Sequence, residues 1–100
     1  MQIKNAKHKG VAAILASDNP AKAKGINPKI AGKIHNQITA LKAAATIREL
    51  ADSFPGWRVH DLKPGRPGVW SMWVTGNYRL TFRLDQKEGV VSDLDLEDYH

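Results

Sequence analysis

A change of period at Pro55 constrains this chain more than any other feature of its sequence. Before it, Ile30, Ile34, Ile38, Leu41 and Ala45 recur at spacings of four, four, three and four, the apolar stripe of a helix. After it, Tyr78, Leu80, Phe82 and Leu84 alternate with Arg79, Thr81 and Arg83, the period-two pattern of a strand with one buried face. Helices followed by a run of antiparallel strands predict an α+β architecture. The N-terminal helices pack on one face of a small, mainly antiparallel β-sheet, and the other face is left free for Arg79 and Arg83.

The element boundaries follow from local chemistry. Asn27-Pro28 predicts an N-cap with proline at the first helical position, and the outer face of that helix is expected to carry Lys29, Lys33, Asn36 and Gln37. A shorter helix is expected over about Lys9–Ala16. Ala45–Asp52 continues or restarts helical with Ile47 and Leu50 inward, and Gln2–Ala6 is a candidate edge strand. Strands are expected over Trp57–Lys63, around Trp70, Met72 and Val74, over 78–84, and over Val90–Tyr99 with Leu94 and Leu96 inward. Thr75-Gly76-Asn77 reads as a hairpin turn with glycine at positive φ, and Asp85–Gly89 as a looser one. Trp70 is expected in the core, with Trp73, out of phase, on the other face. The chain has 100 residues, and residues 1–100 are expected to form one domain.

Composition narrows the chemistry. Without cysteine there are no disulfides, thiolate nucleophiles or cysteine-ligated zinc, and a reducing, cytoplasmic location is expected. No apolar run approaches the roughly 20 residues that span a bilayer, and the apolar patch near the N-terminus is too short and broken for a secretory signal. His8, His35, His60 and His100 are too widely spaced for a metal site, so neither metal nor cofactor is expected. Net charge is +5, unevenly placed. Residues 1–48 hold nine Lys and Arg against Asp18 alone, whereas residues 49–100 hold six against nine carboxylates. A lysine-rich half suits a polyanionic partner through counterion release; the plainer reading is a solubilising helix face. The alternation of Asp93, Asp95 and Glu97 fits the wet face of an edge strand better than a catalytic carboxylate pair.

The free sheet face gathers Arg79 and Arg83, with His60 and Lys63 from neighbouring strands and Tyr99 and His100 at the end of the last. That set can handle a phosphodiester. Cleaving RNA without metal takes a base for the 2′-hydroxyl proton, an acid for the leaving 5′-oxygen, and cations for the charge that builds on phosphorus. Two histidines, His60 and His100, can share the proton transfers, either one as base, with Asp98 favouring an imidazolium and Lys63 or Arg79 a neutral ring. Tyr99 can stack on a splayed base, and Arg66 at the tip of the Pro64–Gly68 turn can touch RNA. Taken singly, each is as well read as a solvated strand residue.

In order along the chain, His60-Asp61-Leu62-Lys63, Arg66-Pro67-Gly68-Val69-Trp70-Ser71, Asn77-Tyr78-Arg79-Leu80-Thr81-Phe82 and the terminal Glu97-Asp98-Tyr99-His100 resemble the signature of the HigB toxins, plasmid-maintenance killer proteins of the RelE/ParE superfamily. Lys7-His8-Lys9-Gly10 and the stretch 44–50 are similar to HigB members too, so the resemblance covers most of the chain. It departs in the loop, where Pro64-Gly65 stands in place of glycine-aspartate. The resemblance implies a RelE-like β-α-α-β-β-β-β toxin that enters the A site of the 70S ribosome and cuts messenger RNA without metal. It implies silencing by a HigA-type helix-turn-helix antitoxin, with operator DNA met only through the toxin–antitoxin complex. Carried over by position, His60 matches the catalytic histidine, Asp98, Tyr99 and His100 the C-terminal catalytic triplet, Lys63 and Arg79 the phosphate-contacting cations, and Arg66 the loop arginine. Two rivals remain on the same sequence: a ParE-like inhibitor of DNA gyrase, and a non-catalytic basic nucleic-acid-binding module.

Overall fold

The computed structural model describes residues 1–99. In chain order it contains β1 (Gln2–Ile3), α1 (Lys9–Ser17), α2 (Pro28–Ala43), α3 (Ile47–Ser53), β2 (His60–Leu62), β3 (Arg66–Trp73), β4 (Tyr78–Asp85) and β5 (Val90–Asp98), with short 3₁₀ turns at Pro20–Lys22 and Pro55–Trp57. The fold is α+β as expected, with one helix more than the two that the resemblance implies. Among the described residues no helix is long and apolar enough to cross a membrane.

Each helix start is fixed by a side chain that satisfies otherwise orphaned N–H groups. The Asn27 side chain accepts from the Lys29 N–H at 2.9 Å, ahead of Pro28 at the first helical position. His8 does the same for α1 through Nδ1, which accepts from Gly10 and Val11. Thr46 accepts from the Glu49 N–H, while Glu49 reaches back to the Ala45 N–H, a variant of the capping box. Because Thr46 starts a new helix, α2 stops at Ala43; Ala44 is buried and Ala45 is exposed, not inward as the stripe predicts.

Gln37 is a second correction. It is fully buried, and its Nε2 donates to the Trp73 carbonyl at 2.9 Å. It lies three residues after Ile34 and four before Leu41, inside the apolar stripe, where it takes up a backbone acceptor at the end of β3. The close approach of α1 to the segment before α2 requires Gly10, because a Cβ there would fall 2.7 Å from both the Ile26 side chain and the Lys24 carbonyl.

The sheet order is β1-β5-β4-β3-β2. Strands β2 to β5 form an antiparallel meander, and β1 pairs parallel with β5. The expected N-terminal edge strand is therefore present, and it makes β5 an inner strand rather than an edge. β5 also breaks its own alternation at Asp93, which has φ 52°. The pairing with β4 shifts register there, so Val91 and Leu94 are both buried at a spacing of three.

Helix residues Ile34, Ile38 and Leu41 meet sheet residues Met72, Leu80, Phe82 and Leu94 in the core. The strand expected over Trp57–Lys63 shortens to His60–Leu62, since Pro55–Trp57 forms a 3₁₀ turn that ends on Arg58 in the left-handed region. Trp57 instead stacks on Phe54, ring centroids 3.9 Å apart. Gly76 does not supply the positive φ expected of it; that conformation falls at Gly25, Gly68 and Gly89. The β3–β4 turn is closed by Thr75, whose Oγ1 accepts from the Asn77 N–H.

Candidate functional site

Strand register places the chemistry-bearing residues on the sheet face away from the helices. Arg79 and Glu97 stand in one row across β4 and β5, and His60, Ser71, Thr81 and Asp95 form the next across β2 to β5. The period-two pattern suggests a bare face, but its middle is covered. Ser71 and Thr81 are only 1% and 2% exposed, and Thr81 lies beside the Glu97 carboxylate that Arg66 holds from the start of β3.

Arg66 forms a two-pronged pair with Glu97: Nη1 donates to Oε1 at 3.0 Å and Nη2 to Oε2 at 2.8 Å. The Thr81 hydroxyl donates to the same Oε2. The Arg66 hydrogen bonds, with that of Thr81, hold the Glu97 carboxyl below the usual carboxylate range against the burial that would raise it. The bond to Glu97 in turn raises the Arg66 guanidinium. Bidentate, charge-assisted geometry is the strong form of such a pair.

A groove of about 310 Å³ runs beside this pair, with Lys7, Arg66 and Arg83 among its cations and Asp93, Asp95 and Glu97 among its anions. Arg83 Nε stands 3.9 Å from the Asp93 carboxylate, and Asp93 also takes a hydrogen bond from the Asn5 amide. The three carboxylates thus line an open groove on an inner strand, half-buried, and not the wet side of a sheet edge. Lys7 and Thr81 carry no site role in the sequence reading, and Glu97 stands there only as one of three carboxylates on a wet strand face. Its place in register with Arg79 is visible only once β4 and β5 are aligned.

Arg79 is held differently. Its Nη1 donates to the Thr75 and Tyr78 carbonyls at 2.7 and 3.1 Å, and the guanidinium lies 4.9 Å from the Tyr99 ring centroid, within cation–π range. Tyr99 is 43% exposed and anchored by its N–H to the Asn77 carbonyl. His60 is exposed, with Nδ1 2.6 Å from the Arg58 carbonyl. A carbonyl only accepts, so Nδ1 carries the proton and, in the neutral ring, Nε2 keeps its lone pair.

Not every expected residue joins this face. Lys63 lines a separate cleft with Asp61, Trp70 and Asp85, and Lys63–Pro64 is a cis peptide bond. Asp98 pairs with Tyr78 in register, one residue out of phase with Glu97 and Tyr99. His100 lies outside the described residues. Trp73 meets α2, where the Lys33 ammonium stands 4.2 Å above its ring centroid; burial lowers the Lys33 pKa from its ordinary value. Among the described residues no group of three or more His, Asp and Glu side chains could hold a metal ion.

Residues 4–100 match the model of the RelE-like toxin of type II toxin-antitoxin system HigB. Over 98 residues, 98% of this chain and 99% of the relative, the chain is 31% identical to the Endoribonuclease HigB of Proteus vulgaris. A three-helix layer on a five-stranded sheet, a groove of mixed charge on its open face and a likeness that runs almost from end to end agree: this chain belongs to the family of RelE-like HigB toxins of type II toxin–antitoxin systems.

Proposed function

We propose that the protein is an endoribonuclease toxin that cuts messenger RNA in the A site of the translating 70S ribosome and so stops protein synthesis in the cytoplasm. The name of the Proteus vulgaris relative supports RNA as substrate. The observation that carries the chemistry is His60: with Nδ1 occupied by the Arg58 carbonyl, Nε2 of an exposed ring is left as the acceptor, the form a general base needs.

In the proposed reaction, His60 Nε2 takes the proton of a ribose 2′-hydroxyl. The 2′-oxygen bonds to the neighbouring phosphorus, and the bond from phosphorus to the 5′-oxygen breaks. The leaving oxygen takes a proton from His100, giving a 2′,3′-cyclic phosphate and a free 5′-hydroxyl. Asp98 keeps the His100 imidazolium charged, and Tyr99 stacks on a displaced base with Arg79 behind its ring. Arg79 stabilises the phosphorane charge, Arg66 and Arg83 dock the strand, and Lys63, from its separate cleft, holds a neighbouring phosphate. A HigA-type helix-turn-helix antitoxin is the proposed inhibitor, and operator DNA is met only through the toxin–antitoxin complex.

Primer extension on a defined messenger, with and without programmed ribosomes, tests this. Wild-type protein is expected to make new cuts only with ribosomes, and His60→Ala and a chain ending at Tyr99 are expected to make none. Uncut messenger in every wild-type lane would refute the nuclease, and loss of supercoiling by DNA gyrase in the same preparation would replace it with the gyrase-inhibitor reading.

A further inference from the structure

The proposed machinery is divided between two elements that do not touch as strands. Lys63 and Arg66 come from the β2–β3 loop and the start of β3, whereas Tyr99 and its neighbours follow β5. β4 runs between them, which puts the two halves roughly 10 Å apart at two strand spacings. The Arg66–Glu97 fork is a direct side-chain bond across that gap, and it joins residues 31 apart in sequence.

The choice of partner is informative. In register, Glu97 stands opposite Arg79, the shorter reach. Its two oxygens nevertheless go to Arg66, and the Arg79 guanidinium turns to the Thr75 and Tyr78 carbonyls and the Tyr99 ring. Thr81, almost fully buried, donates to Glu97 from below and fixes the rotamer that makes this choice. The outcome neutralises Arg66 and, among the described residues, leaves Arg79 bound to neutral groups, the Thr75 and Tyr78 carbonyls and the Tyr99 ring, with its charge available to a phosphate.

We propose that Glu97 is a positioning residue, whose carboxylate clamps the β2–β3 loop through Arg66 to the end of β5 and keeps Arg79 uncompensated. The proposal rests on the nuclease reading for its consequence, not for its geometry. Glu97 touches no substrate. It sets the distance between the cations of the loop and the groups that follow β5, and a misplacement of about 1 Å in such a constellation can cost on the order of a hundredfold in rate.

The test combines two measurements on the full chain. The first is single-turnover cleavage on programmed ribosomes by wild type, Glu97→Gln, Arg66→Lys and the charge swap Arg66→Glu with Glu97→Arg. Glu97→Gln keeps the shape but loses the charge, and Arg66→Lys keeps the charge but loses the fork. Both are expected to lower the maximal rate roughly ten- to a hundredfold, Glu97→Gln with the half-saturating toxin concentration unchanged, and the swap to recover most of the loss in rate. The second is amide hydrogen exchange of the free protein, in which Glu97→Gln is expected to quicken exchange over residues 63–68 and leave the amides of β4 as in wild type.

A wild-type maximal rate in Glu97→Gln, or a loss confined to half-saturation, would overturn the positioning role. If wild type itself cuts nothing, the nuclease reading falls, and exchange then decides on the clamp alone: quickening confined to 63–68 upholds it, and an unchanged loop overturns it.

Discussion

The helix side of the sheet and the middle of its open face both exclude water, by opposite means. On the helix side, Met72, Leu80 and Phe82 are buried among the aliphatic side chains of α1 and α2. On the other side, Ser71 and Thr81 are equally inaccessible, yet Thr81 is tied to a carboxylate and, through it, to a guanidinium. Burial on the first face is non-directional and scales with apolar area. On the second it hangs on a few aligned bonds between charged groups. One face can therefore be changed in volume and remain a core of sorts, whereas the other is undone by a single proton or a lost prong.

Phe82→Ala should show the largest effect. Emptying an almost fully buried aromatic site is expected to cost about 3–5 kcal/mol, read as a drop in thermal midpoint by circular dichroism. A loss below about 1 kcal/mol would mean the helix-side layer is loosely packed. Gly10→Ala comes next, at about 1–3 kcal/mol, because one of the atoms its methyl would meet is the backbone oxygen of Lys24. Gly32→Ala has the opposite sign. It lies inside α2 with nothing within 4 Å of a new Cβ, so it should stabilise by about 0.5–1 kcal/mol.

On the open face, Thr81→Val replaces a hydroxyl by a methyl at a buried site of similar volume. It is expected to cost about 1 kcal/mol, the net worth of a hydrogen bond, in chemical denaturation. If Thr81→Val proved as costly as Phe82→Ala, the distinction between the faces would be wrong.

These faces also differ in what their sequences reveal. The helix side is encoded locally: Asn27-Pro28 starts α2, the stripe from Ile30 to Leu41 aims it, and the alternation of Leu80 and Phe82 aims β4. Each reads from residues within a turn or two. The open face is encoded between distant segments. Arg66 and Glu97 meet only because β4 sets the gap between β3 and β5. The bulge at Asp93 that reverses the phase of β5 is held by Asn5, whose Oδ1 accepts from the Asp93 N–H and whose amide donates to its carboxylate, 88 residues away. No window of local periodicity contains that pair. Gln37 is an intermediate case: its spacing from Ile34 and Leu41 put it on the stripe, but its polarity argued outward, and only the Trp73 carbonyl explains its burial.

The smallest expected effect discriminates most sharply, because it depends on pH. Arg66 holds the folded Glu97 carboxyl below its ordinary value, so the unfolded chain takes up this proton first as pH falls. The stability that the pair contributes is then fully present above the unfolded value of about 4.3, and it is lost as pH falls through the lower folded value. Its size is well under about 1 kcal/mol, since the Arg66 side chain is 46% exposed and solvent screens the pair. The difference in urea midpoint between wild type and Glu97→Gln should be constant from about pH 8 to 5 and should shrink toward zero below about 4.3. Phe82→Ala, measured beside it, should keep its deficit across the same range, because no proton is involved in filling that cavity. A Glu97→Gln difference that stayed level to the acid end would mean that the fork holds by shape alone, and the two faces would then differ in residues but not in kind.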